Sequence, residues 1–316
     1  MSGTTARARQ ARVPALAKIN LDLRVLARRP DGYHELRTIF QTISLADTID
    51  IAFTPARRTV INLHDPLAIP DNLMVRAAAL VLEAIRVHGC VDMRLTKRIP
   101  MGAGLGGGSS DAAAILLALP VLAGRALPLE TLGPLAQRLG SDVAFFLLGG
   151  RAVGIGRGSE LFPLPDAPSR HGLLLAPGIH VSTAEAYRLL SPSLTTELQQ
   201  NKIFSFQSRS WEWGSQTSGA NDFEAVVFPR HRRLASLKKG LIEAGASVAL
   251  MTGSGSAVFG LFHNRNGVSR ALELLGEEKA FRISLIGRSR YRSLWWRSLA
   301  PHVERKVWPP QNRNLP

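Results

Sequence analysis

The 316-residue sequence predicts an α+β fold in two halves. Three observations lead to this prediction. The first half begins with strand-like alternation and continues with helical patterns, a glycine-rich loop joins a strand to a helix, and a proline-rich linker precedes a second mixed set of elements. Helices that segregate onto an antiparallel or mixed sheet are typical of α+β domains.

Hydrophobic periodicity and turn residues place the elements of the first half. Strands are predicted at 13–27, 36–44, 48–53, 60–63, 91–95 and 151–155. Helices are predicted at 71–88, with Asp71 as the N-cap, and at 110–119 and 129–139.

The second half follows a predicted linker at 163–169 that contains three prolines. Strands are predicted at 172–176, 247–251, 257–262 and 281–286. Helices are predicted at 182–190, 221–228, 230–244 and 268–276, with a Ser/Gln/Thr-rich stretch without an element after the first of them. The chain is thus divided into a disordered basic tail at 1–13, an N-terminal domain at 14–162, a C-terminal domain at 163–287 and a basic Trp/Arg-rich tail at 288–316.

Composition predicts a soluble globular protein in the cytoplasm. The hydrophobic content is 45% and the mean hydropathy is +0.04. The longest apolar run, 112–123, is interrupted by Pro120 and is too short to span a membrane, and the N-terminus has no apolar signal core. The single cysteine, Cys90, excludes an internal disulfide and a multi-cysteine metal site, and it fits a reducing compartment.

The net charge of +15 is concentrated at the two ends. Residues 1–13 carry three arginines and no acidic residue, and residues 288–316 carry a net +6, which leaves +6 on the residues between. A mildly basic body suits an anionic substrate and does not require nucleic acid. The C-terminal tail also contains Trp295, Trp296 and Trp308, so it is either a surface for polyanions or membranes or an appendage that folds back on the body. We expect its last 17 residues to be dispensable for the chemistry.

The most informative segment is the glycine-rich loop at residues 100–110. Five of the seven residues from Gly102 to Gly108 are glycine, and Ser-Ser-Asp follows as a helix start with side chains suited to capping. Such a loop directs free N–H groups and the positive end of the helix dipole at the same point. The segment therefore predicts a phosphate-binding site.

Two other phosphate motifs and a plain turn compete with this interpretation. A Walker A loop is excluded because no Gly-Lys-Ser/Thr closes the segment. Gly102, Gly104 and Gly107 match the spacing of dinucleotide-binding loops, but Glu130, at the distance of the required acidic residue, lies in a predicted helix. The third alternative is a flexible turn without a ligand.

Two further segments carry candidate catalytic residues. Lys18 and Asn20 lie two apart in a strand and so share a face, where Lys18 is either a functional cation or an edge lysine whose ammonium reaches solvent. Asp142 precedes the apolar run at 143–148, where its carboxylate is either a helix cap or an acceptor for a hydroxyl proton. The glycine-rich turn at 252–256 is suited to lining a phosphate or substrate group.

Together these segments resemble the GHMP kinase superfamily. The resemblance rests on Ala-Lys-Ile-Asn-Leu at 17–21, Pro-x-Gly-x-Gly-Leu-Gly-Gly-Gly-Ser-Ser at 100–110 and Gly-Ser-Gly-Ser at 253–256. A narrower resemblance, to the members of the superfamily that act on a cytidine-diphosphate substrate, rests on the motifs at 29–36, 140–143, 177–178, 221–224 and 251–259. It covers about residues 15–286, and Ala144 stands where the family usually has proline.

The resemblance implies a two-domain fold, with a ribosomal-protein-S5-like N-terminal domain that binds the nucleotide, a ferredoxin-like C-terminal domain and the active site in the cleft between them. It implies that Lys18 and Asp142 are the catalytic pair, and that Asn20, Tyr33 and His34 bind the substrate, the last two at its cytosine end. The ATP phosphates are expected on Pro100, Met101, Gly102, Ala103, Gly104, Leu105, Gly106, Gly107, Gly108, Ser109 and Ser110.

The activity implied by the resemblance is ATP-dependent phosphorylation of a hydroxyl. The loop would hold the β- and γ-phosphates, Mg²⁺ would neutralise them, and Asp142 would accept or orient the proton of the attacking hydroxyl beside Lys18. Ser110 is a candidate contact for Mg²⁺, and no residues are assigned to a resident metal. The expected partner is a cytidine-diphosphate small molecule, with no specific nucleic acid and no membrane span, and the enzyme is expected to be a monomer or homodimer.

Three other functions stay open at this point. Another small-molecule GHMP kinase, of the mevalonate or homoserine type, is disfavoured by the turn at 29–34 and by the triple glycine. A nucleic-acid-binding protein is suggested by the net charge but gives no account of the glycine-rich loop. An inactive member that binds a ligand as a regulator is disfavoured by the presence of Lys18 and Asp142.

Overall fold

The computed structural model describes residues 8–166, 168–191, 196–211 and 219–312. The first half contains β1 (Arg9–Arg28), β2 (His34–Pro55), β3 (Val60–His64), α1 (Leu73–Ile85), β4 (Gly89–Thr96), α2 (Gly107–Leu122), α3 (Leu129–Leu139), α4 (Val143–Leu148), β5 (Arg151–Gly156) and β6 (Glu160–Pro163). The second half contains β7 (His171–Leu175), α5 (Thr183–Leu190), α6 (Thr196–Trp211), α7 (Glu224–Val227), α8 (Arg232–Glu243), β8 (Val248–Met251), β9 (Val258–Phe262), α9 (Arg265–Leu275) and β10 (Ala280–Ser284). The chain ends in α10 (Arg288–Ser298) and an irregular stretch.

β2 is the centre of a six-stranded sheet in the first half. It pairs antiparallel with β1 along nearly its whole length. On its other edge its first part pairs with β5 and its last part with β4, which gives the order β3-β4-β2-β5-β6 with β1 off this path. The strands predicted at 36–44 and 48–53 are therefore one strand, because pairing with β1 continues through Ala46 and Asp47.

β1 begins inside the segment predicted as a disordered tail at 1–13. Its first residues pair with the end of β2, and Arg12 Nε lies 2.6 Å from Asp50 Oδ1. Ala11 and Val13 face the core on one side, while Gln10 and Arg12, which alternate with them, are exposed. The strand was predicted from residue 13, but local composition did not reveal its first four residues, because the partner of Arg12 lies 38 residues away. Residues 1–7 lie outside the described residues.

α1 and α2 are among the helices that begin at residues other than those predicted. α1 is capped by Asn72, whose side chain accepts the N–H two residues on, whereas Asp71 precedes it with a positive φ. α2 begins at Gly107 rather than Ser110, after Gly106 in the left-handed conformation, so the Ser-Ser-Asp sequence lies inside the helix. Although α2 is buried on nearly all sides, no helix in the described ranges combines the length and apolarity of a membrane span.

The second half is a four-stranded antiparallel sheet of order β10-β7-β9-β8. Both faces of β9 are apolar because each covers a different layer: Val258 and Phe262 pack with α8 and α9, whereas Phe259 and Leu261 pack against β1 and β2. The two halves therefore share a hydrophobic core. Phe206 joins this core, which explains why α6 forms in the Ser/Gln/Thr-rich stretch where no element was predicted.

The C-terminal segment, residues 288–312, packs on the first half. Tyr291, Trp295 and Leu299 are each at most 2% exposed and belong to the hydrophobic core that also contains α1, α2 and α4. Residues 288–312 of the segment predicted as a tail therefore pack on the first half, because their aromatic residues complete that core. The last four residues lie outside the described part of the chain.

Cys90 is half-buried at the start of β4. Its thiol donates a hydrogen bond to the carboxylate of Asp92 at 3.3 Å. Burial raises the pKa of the Cys90 thiol, and the negative charge of Asp92 adds to this effect. Because the thiolate is the reactive form, these surroundings favour a structural thiol over a nucleophile.

Deletion of residues 300–316 should destabilise the protein. The deletion removes Trp308, which is half-buried, and Asn312, which is buried and donates to Val121 O at 2.7 Å. We expect the free energy of unfolding to fall by about 3 kcal/mol, the usual cost of removing one packed aromatic residue. Urea unfolding measures the change. The exposed Arg305→Ala is the control, and an unfolding midpoint equal to that of the full chain would contradict this packing.

Candidate active site

The glycine-rich loop lies between the two halves and leaves no room for side chains at two positions. Gly104 has a φ of +76°, and a Cβ added there would lie 2.1 Å from Thr252 O in the second half. Gly106 has a φ of +68°, and a Cβ there would lie 2.9 Å from the ring of Phe146 and 3.2 Å from Lys18 Cγ. Glycine is required at both positions for steric and conformational reasons.

Hydrogen bonds hold the loop carbonyls against the protein. Leu105 O accepts Lys18 N at 3.1 Å, and Ala103 O accepts Ala257 N at 3.2 Å. The first intrahelical bond of α2 runs from Ser110 N to Gly106 O. The N–H groups of the positions before Ser110 have no intrahelical partner, so the start of α2 offers donors to an anion.

A buried ion cluster ties the two ends of the loop together. Lys97, before the loop, lies 2.7 Å from the carboxylate of Asp111, after it, and also contacts Asp47. Asp47 in turn accepts the N–H groups of Arg98 and Ile99. Burial raises the pKa of the Asp111 carboxyl to about 7, against the attraction of Lys97. Sequence reasoning missed this cluster, because nothing in the local pattern pairs residues 47, 97 and 111.

Lys18 and Asp142 lie together beside the loop. Lys18 is 4% exposed, and its Nζ lies 3.4 Å from Asp142 Oδ2 and donates to Asn20 Oδ1 at 2.9 Å. Asp142 stands directly before α4, but its side chain makes no capping hydrogen bond. The helix-cap alternative therefore has no support in this geometry, and the carboxylate is placed against the ammonium.

Asn20 connects this pair to the second half. Its Oδ1 accepts from Gly253 N at 2.9 Å and from Thr252 Oγ1 at 3.2 Å, and its Nδ2 donates to Thr38 Oγ1 at 2.8 Å. Asn221 supports the same turn, donating to the carbonyls of Met251 and Gly253. Asn20 thus orients the lysine. Its predicted contact with a substrate stays a prediction.

Ser110 has its hydroxyl directed at the sheet. It donates to Leu16 O at 2.7 Å, and the residue is 2% exposed. The oxygen that sequence reasoning assigned to Mg²⁺ is therefore already bonded to β1. Within the described ranges, no group of three or more His, Cys, Asp or Glu side chains is suited to a metal ion.

Two adjoining cavities meet at Asp142. The smaller, of about 210 Å³, is lined by Lys18, Asn20 and the glycine-rich loop. The larger, of about 810 Å³, extends to Tyr33 and His34. Asp142, Arg157 and Tyr187 line both. A ligand that spans the two cavities would therefore lie next to the carboxylate of Asp142.

The far end of the larger cavity is aromatic. His34 stacks on Tyr187 with ring centroids 4.6 Å apart, and His34 Nε2 lies 2.9 Å from Ser191 Oγ. The Arg157 guanidinium lies 3.5 Å from the ring centroid of Tyr33. Burial lowers the pKa of His34, so at neutral pH the imidazole is uncharged and offers one donor and one acceptor. Sequence reasoning did not find Tyr187 or Arg157, because they lie in a helix and a turn with no motif of their own.

Two family models match the chain. The model described as GHMP kinases N terminal domain matches residues 72–150, and that described as GHMP kinases C terminal matches residues 206–279. The fold is that of a GHMP kinase, a class of small-molecule kinases that use ATP. The predicted α+β fold of two GHMP kinase domains is thereby confirmed.

Curated relatives identify the family. The 4-diphosphocytidyl-2-C-methyl-D-erythritol kinase of Solibacter usitatus is 65% identical over 312 residues, which cover 98% of this chain and 99% of that protein. The protein of the same name from Geobacter sulfurreducens is 40% identical over 263 residues, covering 83% of this chain and 93% of that protein. The chain belongs to the family of 4-diphosphocytidyl-2-C-methyl-D-erythritol kinases.

Solved structures agree with this assignment. A crystal structure of a 4-(cytidine 5'-diphospho)-2C-methyl-D-erythritol kinase matches with a TM-score of 0.73 at 39% identity, covering 87% of this chain and 99% of that chain. The homoserine kinase of Cytophaga hutchinsonii matches with a TM-score of 0.71 at 16% identity, covering 92% of this chain and 98% of that chain. The second likeness shows the fold alone.

Gly104→Ala should destabilise the fold, whereas Gly108→Ala should not. A Cβ at Gly104 meets a backbone carbonyl and requires a left-handed φ, but a Cβ at Gly108, inside α2, has nothing within 4 Å. We expect Gly104→Ala to lower the free energy of unfolding by about 2 kcal/mol or more, and Gly108→Ala to leave it unchanged or to raise it by up to about 1 kcal/mol. Thermal unfolding of both variants tests this, and equal effects would be inconsistent with the close approach at Gly104.

Proposed function

We propose that the chain transfers the γ-phosphoryl group of ATP to a hydroxyl of 4-diphosphocytidyl-2-C-methyl-D-erythritol, giving the 2-phosphate and ADP for isoprenoid precursor synthesis. One observation carries the proposal. The Lys18–Asp142 pair lies where a cavity at a phosphate-type loop meets a cavity with an aromatic end. The setting that we propose is the cytoplasm, where ATP is available and the one cysteine stays reduced.

The glycine-rich loop binds the β- and γ-phosphates of ATP in this proposal. The positive end of the α2 dipole and the first N–H groups of that helix attract the negative charge. Because Gly104 and Gly106 are fixed by contacts with both halves, these donors are in place before ATP arrives. Preorganised donors spend no free energy on reorganisation during the reaction.

The site fits a magnesium ion held largely by the nucleotide. Mg²⁺ in kinases is bound by one or two carboxylates together with substrate phosphates and water, so a dedicated protein cage is not needed. Asp142, 33% exposed beside the loop, is kept in this proposal for the proton of the substrate hydroxyl, so the phosphates of the nucleotide and water would supply the ligands of the ion. The bound ion supplies neutralisation of the phosphate charge.

Asp142 acts as proton acceptor in the transfer. The substrate hydroxyl oxygen forms a bond to the γ-phosphorus, the bond from that phosphorus to the bridging oxygen of ADP breaks, and the hydroxyl proton passes to the Asp142 carboxylate. Lys18, held by Asn20, places a positive charge next to the oxygen that loses the proton. The pair thus stabilises charge that develops in the transition state.

The aromatic end of the larger cavity binds the cytosine. Ser191 Oγ donates to Tyr187 O, so a neutral His34 donates from Nε2 to Ser191 and leaves Nδ1 as an acceptor for the base edge. Tyr33, half exposed, offers a ring face for stacking. Burial and the charge of Asp142 raise the pKa of the Tyr187 hydroxyl, so this side chain remains uncharged. In the proposal Tyr187 lies between the cytosine base and the substrate hydroxyl that reacts. Binding at this end positions the hydroxyl at Asp142.

Substrate preference tests the assignment within the superfamily. With ATP and Mg²⁺, the purified chain should phosphorylate 4-diphosphocytidyl-2-C-methyl-D-erythritol with a kcat/KM at least about 10²-fold higher than for mevalonate, homoserine or galactose, because only the first can occupy the aromatic end. ADP release measured in parallel for the four compounds gives the comparison. Equal or better turnover of mevalonate or homoserine would refute the assignment.

Asp142→Asn should lower kcat far more than it raises KM. A proton acceptor acts in the transition state, so its loss should cost on the order of 10²-fold or more in kcat. Steady-state kinetics on a variant shown to be folded measures the effect. Asp50→Asn, whose carboxylate pairs with the exposed Arg12 and not with Lys18, is a control of the same chemistry and should keep its kcat. A near-wild-type kcat in Asp142→Asn would exclude the proposed base.

A further inference from the structure

α4 has six residues and begins directly after Asp142. So short a helix is not stable alone, because the free energy cost of nucleation exceeds the stabilisation from a few helical hydrogen bonds. Its last carbonyls also lack partners within the helix. The groups that bind these carbonyls therefore determine where α4 lies, and with it the carboxylate at its start.

Two side chains of the C-terminal segment bind these carbonyls. Tyr291 donates its hydroxyl to Phe146 O, and Trp308 donates its indole N–H to Leu147 O at 2.9 Å. The contact is close, since a Cβ added at Gly149, directly after α4, would lie 2.2 Å from the ring of Tyr291. The end of α4 is thus held by residues about 145 to 161 positions away in sequence.

The other side of α4 touches the groups that carry the chemistry. Phe145 packs on Phe40 with ring centroids 4.9 Å apart, and Lys18 Nζ lies 5.4 Å from the Phe40 ring centroid. Phe146 lies against Gly106, so it also contacts the glycine-rich loop. α4 therefore connects the C-terminal segment to the catalytic pair and to the phosphate-binding loop.

We propose that Tyr291 and Trp308 are positioning residues for phosphoryl transfer: by fixing the end of α4 they hold Asp142 in place against Lys18. The inference rests on the proposed function, in which Asp142 takes the proton. It replaces the expectation that the residues after Leu299 are dispensable for the chemistry. Misplacement of a reacting group by about 1 Å costs up to about 10²-fold in rate, so a small shift of α4 has a measurable effect.

The test removes the two hydrogen-bond donors and keeps an aromatic ring at each position. The variants are Tyr291→Phe, Trp308→Phe and the double substitution. Ser293→Ala is the control, because Ser293 donates its hydroxyl to Ser289 O at 2.8 Å within α10 and not to α4. We expect the double variant to lose about tenfold in kcat with both KM values within about twofold, and Ser293→Ala to keep its kcat.

The same substitutions made together with Asp142→Asn separate positioning from general stability. If the two residues act through the carboxylate, the tenfold loss disappears in that background, because the group that they position is already inactive. A loss that persists in full, or an equal loss in Ser293→Ala, overturns the inference. The single variants are assayed with their unfolding midpoints, so a misfolded double variant does not decide the result.

The two proposals fail in different ways. A near-wild-type kcat in Asp142→Asn overturns the proposed base, and this inference with it. A large loss in Asp142→Asn together with an unchanged kcat in Tyr291→Phe and Trp308→Phe leaves the proposed function intact and overturns this inference alone.

Discussion

Burial of the Lys18 ammonium is the constraint on which the site depends. A buried cation without partners costs several kcal/mol, and Lys18 is 4% exposed. Its partners come from three parts of the chain: Asn20 on the same strand, Asp142 before α4 and the ring of Phe40 on β2. Asn20 is in turn bonded to Thr252 in the second half. The ammonium is therefore compensated only when both halves and α4 are in place, which ties folding to assembly of the site.

Parts of the site that lie close together along the chain could be predicted from local spacing. Lys18 and Asn20 are two residues apart in a strand, and the structure joins them at 2.9 Å. The glycine-rich loop leads into a helix, as its composition required, although the helix starts at Gly107 and not at the serines. Spacing showed which groups share a face or a turn. It did not show that Gly104 would meet the carbonyl of Thr252 in the other half.

Contacts between distant segments gave no comparable signal. Lys97 has the sequence surroundings of an ordinary strand-end lysine, yet two carboxylates from other elements surround it. Tyr187 belongs to an amphipathic helix, where an aromatic residue is usually packing material, and its stacking on His34 depends on how the halves are placed. The charge of the C-terminal segment was visible, but burial of Trp295 follows from the three-dimensional core alone. The net charge of that segment indicates only what its exposed surface is like, whereas burial of its aromatic residues determines where the segment packs.

The order of the chain has a consequence for synthesis on the ribosome. The core of the N-terminal domain contains Val13 and Leu16 from β1 together with Trp295 and Leu299 from the C-terminal segment, and the whole second domain lies between them in sequence. The first domain to be translated therefore emerges with an apolar face uncovered, while the second already has all its strands before α10 appears. Closure over so long a separation is slow, and incomplete chains are prone to aggregate. A prematurely terminated chain would expose that apolar face to chaperones and proteases. Whether the chain escapes cellular quality control therefore depends on whether its C-terminal segment has been synthesised.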